Sequence, residues 1–198
     1  MQRTLRPVSD FNEAPALPPL VGHEPLLDGS VADFWRWALS DLRMNTARGW
    51  FAEYLIAQAV GDPRPGRTEW GSYDVESAEG IKIEVKTSGY WQSWAQRTRS
   101  SITFGGLWSR KWTPQTGYEP EPSIVADVFV FAVQAALTAD SYDPLDLSQW
   151  EFYVLPSSII RERVGKSVGL TTLTQLGGAP IKLDGLRAAI VAAATIAS

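Results

Sequence analysis

The chain has 198 residues, 44% of them apolar and 20% charged, and a net charge of -4 at pH 7. That length favours one domain with a core of its own, and the balance excludes global disorder and a uniformly basic coat for nucleic acid. Cysteine is absent, which excludes disulfides, thiol catalysis and thiolate metal sites. The single histidine, His23, leaves any metal to oxygen ligands, which points to magnesium, manganese or calcium.

Residues 1–29 carry Pro7, Pro15, Pro18, Pro19 and Pro25 with little periodicity, and they predict an extended N-terminal arm ahead of a single domain over 30–198. The opening MQRTLRPVSDF lacks the apolar core of a signal peptide, and the tail AAIVAAATIAS is too short to span a bilayer. The expectation is a soluble, cytoplasmic protein with no membrane contact. Ser30 can cap a first helix, VADFWRWALSDL, with a broad apolar side from Phe34, Trp35, Trp37 and Ala38. A second helix is expected over TARGWFAEYLIAQAV, stopped by GDPRPG.

A hairpin follows, EWGSYDVES and IKIEVKT around the loop Ala78-Glu79-Gly80. A loop of that length ending in glycine suits a type I turn closed in the left-handed region. It pairs Ser77 with Ile81, Val75 with Ile83 and Tyr73 with Val85, so those residues form one apolar face. Asp74 then lies opposite Glu84 on the other face, with Lys86 two residues further on. Opposed carboxylates repel unless a positive charge lies between them, and a divalent cation would resolve the conflict. An ordinary polar outer face with a cross-strand ion pair satisfies the same register.

Beyond Gly89, a helix would place Gln92 and Gln96 on one face, with Gln92 able to hold a phosphate or a water. The segment RTRSSITFGGLWSRKW carries Arg97, Arg99, Arg110 and Lys111 among aromatics, with no acid, and suits contact with a phosphate backbone. Trp108 and Trp112 can equally anchor that segment in the core. IVADVFVFAVQ reads as a buried strand opened by Asp127, and WEFYVLP as its successor. Asp140, Asp143 and Asp146 lack the glycine and glutamate of a calcium loop and read as surface. The last forty residues read as helical with a Gly-Gly-Ala-Pro break.

Asp74, nine intervening residues, then Glu84-Val85-Lys86, continued by KTSGYWQSW, resembles the PD-(D/E)XK nuclease superfamily, which includes many restriction endonucleases and Holliday-junction resolvases. The resemblance covers residues 45–160, with its specific motifs within 74–94. Asp74 is preceded by Tyr73 where the motif has proline. The resemblance implies an α/β, restriction-endonuclease-like core, a central mixed four-stranded sheet flanked by helices. It implies a Mg²⁺-dependent nuclease (Mn²⁺ as the substitute) acting on nucleic acid, DNA rather than RNA, as a homodimer or within a defence or repair assembly. Asp74 and Glu84 match the metal-binding acids, the Val85 carbonyl a further ligand and Lys86 the catalytic lysine. Glu53 matches an acidic residue supplied from the preceding helix, and Gln92 the glutamine of the following one. A non-catalytic nucleic-acid-binding or assembly subunit on the same fold is the alternative.

Overall fold

A computed structural model of the chain describes residues 29–197 with the exception of 70, 111, 114 and 116. The expected arm up to residue 28, His23 and Lys111 lie outside the described residues. Ser30 and Asp33 cap α1 (Val31–Ala38) reciprocally, the Ser30 N–H donating to the Asp33 carboxylate at 2.8 Å. The helix ends at Ala38 rather than Leu42 and buries none of its residues, leaving Phe34 54% and Trp37 77% exposed. The core takes instead Ala52, Leu55, Ile56 and Val60 from α2 (Asn45–Val60). Gly61, at φ 68°, closes α2 by donating back to the Ala57 carbonyl.

The hairpin joins β1 (Val75–Glu76) to β2 (Lys82–Gly89). Ser77 N–H reaches the Ile81 carbonyl at 3.0 Å, and Gly80, at φ +82°, donates to Ser77 at 2.9 Å. Val75 faces Ile83, as the loop length requires. The expected rung between Tyr73 and Val85 does not form. Asp74 leaves the ladder after donating to Ile83, and its own side chain takes the Val85 N–H at 2.8 Å. Tyr73 therefore leaves the apolar face, and its hydroxyl donates to Glu76 at 2.6 Å.

No helix follows Gly89; residues 90–101 are irregular. Gln96 supplies the reason. Its carbonyl accepts the Gln92 N–H at 2.5 Å, and its amide donates to Tyr90, Thr98 and Ser100, so local side-chain bonds replace helical ones. The chain then forms β3 (Thr103–Gly105) and a small ribbon of β4 (Trp112–Thr113) with β5 (Gly117–Tyr118). Central β6 (Val128–Gln134) is buried throughout and runs parallel to β2, while β7 (Trp150–Pro156) returns antiparallel. The remainder is α3 (Ser157–Arg163), β8 (Ser167–Gly169), α4 (Leu170–Gly177) and α5 (Leu186–Ala197), with β8 paired to β3.

The result is an α/β fold with a mixed four-stranded sheet, order β1-β2-β6-β7, flanked by helices. On one face, α2 and α5 pack over Ile83, Val85, Val130, Phe152 and Val154. On the other, β3, β8, α3 and α4 cover Phe129, Phe131, Tyr153 and Leu155. Glu84 stands beside Phe129 and Lys86 beside Phe131 in the ladder, so both charges share the second face with large apolar neighbours. Among the described residues no helix is long and apolar enough to cross a membrane.

Candidate active site

The period of two along β2 sends Ile83 and Val85 to the core under α2, and Glu84 and Lys86 to the opposite face. There Lys86 Nζ lies 2.7 Å from Glu84 Oε1, with the two side chains only 23% and 19% exposed. Asp74 reaches the same place from the sheet edge. Its main chain is clamped on both sides: the N–H by Ile83 and the carbonyl by Arg64 Nη2 at 2.6 Å. Arg64 is itself held by Asp62 at 2.6 Å, and Asp62 also accepts the Glu76 N–H at 3.1 Å. The Asp62–Arg64 pair thus fixes the turn that aims Asp74 at β2.

Burial raises the Glu84 carboxyl above the ordinary glutamate value, the charge of Asp74 raises it further, and Lys86 opposes both. Glu53 projects from α2 and behaves alike: burial raises it first, then Asp74, while Arg67 opposes and Glu84 adds a smaller push. Arg67 Nε holds Glu53 at 2.7 Å, and the Arg67 guanidinium carbon lies 5.4 Å from the centre of the Trp50 ring. Three carboxylates therefore act on one another where the edge of the sheet meets α2. A cleft of ≈ 230 Å³, lined by Trp50, Glu53, Tyr54, Arg64, Arg67 and Asp74, opens beside them.

Among the described residues, no three Asp, Glu or His side chains converge as a complete metal cage. The donor set fits a magnesium-type ion held by two carboxylates, because such an ion keeps most of its shell as water. Glu84 Oε2 and Asp74 Oδ1 carry no hydrogen bond among the described residues, and burial, with the charge of Asp74 behind it, holds the Glu84 carboxyl above its ordinary value. Val85 contributes its amide to Asp74 and its side chain to the core.

Gln92 stands apart from this cluster. Its amide donates to the Gly89 carbonyl at 2.9 Å and its carbonyl accepts from Arg48 at 3.2 Å, past the end of β2. Asp127 is not a free strand-end acid either, since its carboxylate accepts the Lys82 N–H at 2.9 Å. Asp140, Asp143 and Asp146 are exposed, as expected, with Asp146 capping a short 3-10 turn.

The basic segment does approach the cluster. Gly106, at φ +64°, passes so close that a Cβ there would lie 4.0 Å from Lys86 Nζ. Arg97, Arg99 and Arg110 are exposed and make no ion pair among the described residues; Arg99 lies 5.2 Å from the Tyr90 ring. Ile102, Phe104 and Leu107 anchor the segment, whereas Trp108 and Trp112 are 37% and 46% exposed, so the tryptophans are not its core anchors. Arg64 and Arg67 were not anticipated as site residues. Their signal was two arginines in GDPRPGR directly after α2, a stretch that reads otherwise as a helix stop.

The chain matches no family model and no curated protein sequence.

Proposed function

We propose that the protein is a metal-dependent nuclease of restriction-endonuclease-like fold that hydrolyses phosphodiester bonds, of DNA rather than RNA. One observation carries the reading: a half-buried Glu84–Lys86 pair on a sheet strand, with Asp74 brought beside it by a main-chain clamp. Asp74 and Glu84 would hold Mg²⁺, or Mn²⁺ in its place, with the Val85 carbonyl as a further ligand, water filling the remaining positions and Glu53 adding negative charge from α2. When bound, such an ion supplies positive charge for phosphate oxygens and eases loss of a proton from water.

The chain's own groups do the rest. Lys86 Nζ, steered by Glu84, is placed to donate to an attacking water or to a non-bridging phosphoryl oxygen as charge develops there. The apolar neighbours Phe129 and Phe131 limit water on that side of the strand and so strengthen each charge–charge interaction. Arg97, Arg99 and Arg110 would meet backbone phosphates, and the exposed pair Trp112 and Tyr118 on the β4–β5 ribbon would stack on bases.

A second reading, a non-catalytic nucleic-acid-binding or assembly subunit, is favoured by α1, whose exposed Phe34, Trp35 and Trp37 form an apolar surface suited to a partner. Incubation with plasmid, single-stranded DNA and RNA, with Mg²⁺ or chelator, separates the two. The nuclease reading expects Mg²⁺-dependent cleavage that falls by about 10²–10³-fold in Lys86→Ala. Binding without cleavage of any substrate would select the second reading.

A further inference from the structure

Arg48 is 3% exposed, on the first turn of α2, and among the described residues no carboxylate pairs with it. Its partners are all neutral: Asn45 Oδ1 at 2.6 Å, Gln92 Oε1 at 3.2 Å, and the carbonyls of Arg43 and Trp91, each at 3.4 Å. Its Nε has no hydrogen-bond partner among the described residues. Buried charges are ordinarily paired, because an uncompensated ion in a protein interior costs several kcal/mol.

Two more orphaned polar atoms stand in the same place, Trp91 Nε1 and Tyr142 Oη. Tyr142 lies close enough to Arg48 to feel its charge, without a hydrogen bond of proper geometry. Trp91, Gln92 and Tyr142, with Arg43 and Gln96, line a cavity of ≈ 310 Å³. That is room for about ten waters at about 30 Å³ each. All three can donate, and the Tyr142 oxygen can also accept from the neighbouring Arg48. Arg48 Nε and Trp91 Nε1 are the donors left without an acceptor among the described residues. The carboxylate within electrostatic reach of Tyr142, Asp41, is already bonded by Arg43 through both oxygens at 2.9 Å. Arg43 and Arg48 against Asp41 leave one positive charge unbalanced.

The geometry points to an oxyanion site at the wall of this cavity, where Gln92 stands between it and Arg48: a phosphate group there would take Arg48 as its charge and Trp91 Nε1 and Tyr142 Oη as its neutral donors. The donors are closed off from solvent, so an incoming phosphate enters by displacing Gln92 Oε1 from Arg48, a long and neutral contact. A charge-assisted bond then replaces a weaker one. Gly89 is the strand residue against which Arg48 packs: a Cβ there would lie 3.3 Å from Nη1. Gly89 follows Lys86 by three residues on β2, roughly 10 Å along the strand. Three residues on, Gly89 faces α2 while Lys86 faces away from it, so the phosphate site is separate from the carboxylate–lysine cluster, and a nucleic-acid backbone phosphate and a free phosphate share the chemistry it would take. The site itself does not depend on the nuclease reading.

The test is a titration of the full chain in EDTA, which silences metal-dependent chemistry, by calorimetry with orthophosphate, a nucleoside 5′-monophosphate and a single-stranded oligonucleotide. Sodium chloride at matched ionic strength is the control. Wild type is expected to bind phosphate saturably. Gln92→Glu supplies the missing carboxylate permanently and is expected to weaken that binding at least tenfold while raising the melting temperature. Arg48→Gln is expected to weaken it as much, and Tyr142→Phe by several-fold. Gln92→Glu and Tyr142→Phe carry the test even where Arg48→Gln fails to fold. An oligonucleotide bound more tightly than orthophosphate identifies a backbone phosphate, and equal affinities identify a free phosphate; either supports the site. No saturable binding by wild type, or unchanged binding and stability in Gln92→Glu, would overturn it.

Discussion

Two charge imbalances of opposite sign lie where β2 meets α2. At the middle of β2, Glu84 shares a half-buried position with Asp74 and Glu53, and among the described residues Lys86 and Arg67 are the cations that pair with these three carboxylates. Past the end of the strand, on α2, Arg48 is buried deeper still, with no carboxylate paired to it among the described residues. The first region tolerates its excess because its side chains remain partly solvated and Glu84 and Glu53, raised above the ordinary glutamate value, can take up protons more readily. The second cannot, since a guanidinium stays charged at any ordinary pH. The contrast is between an excess of negative charge at the sheet edge, which protons can relieve, and an unbalanced positive charge at the start of α2, which they cannot.

The largest effects should come from removing single charges at the first region. Asp74→Asn keeps an oxygen for the Val85 N–H but loses the charge that Glu53 and Glu84 both feel. Cleavage measured in Mg²⁺ should drop by at least about 10²-fold, while the metal-free protein becomes more stable at neutral pH. A variant that loses both activity and stability would assign Asp74 a structural role instead.

Next in size are the opposed changes at Arg48. Arg48→Ala strands the Asn45 and Gln92 acceptors and opens a void, and should cost about 2–4 kcal/mol in urea denaturation. Gln92→Glu should gain about 1–3 kcal/mol by placing a carboxylate against the guanidinium. Equal losses in the two would mean that the local packing, not the charge, sets stability there.

A smaller effect is the pH dependence of the metal-free protein. Glu84 and Glu53 are raised on folding, so the folded chain holds their protons more tightly than the unfolded one. Their contribution to stability is full below the ordinary glutamate range and is lost as pH rises through the raised folded values. Melting temperatures in EDTA should fall across that window, and Mg²⁺ should restore them above it but not below, where protonated carboxyls bind no cation. A flat profile would remove the case for a shared field.

The smallest expected effects are on the surface. Arg97→Ala and Arg110→Ala should each reduce the salt slope of nucleic-acid binding by about one and change stability by less than about 0.5 kcal/mol. An unchanged slope would take the basic segment out of the interface.

Much of the cluster was legible because local chemistry set it. Ala78-Glu79-Gly80 is short and ends in the one residue that accepts φ +82° freely, so the turn and the Val75–Ile83 pairing follow from spacing. The apolar run of β6 and the stop at Gly61 were equally plain. Less legible was anything decided by side chains acting on distant backbone. Extending the ladder to Tyr73 ignored that Asp74 could spend its own carboxylate on the Val85 N–H. Expecting a helix after Gly89 ignored that Gln96 could satisfy four local partners. Arg48 gave no sign, because a cation in an apolar helix reads as surface until Gln92 and Trp91 close over it from more than forty residues away. The apolar side of α1 was evident from spacing, but spacing alone does not say whether such a side faces the core or the solvent.

The most direct measurement is a calorimetric titration of Mg²⁺ into the metal-free protein, comparing wild type, Glu84→Gln and Lys86→Ala. The account predicts one binding event in wild type, its loss in Glu84→Gln and its retention in Lys86→Ala, which frees Glu84 Oε1 rather than removing a ligand. Identical titrations for wild type and Glu84→Gln would contradict it.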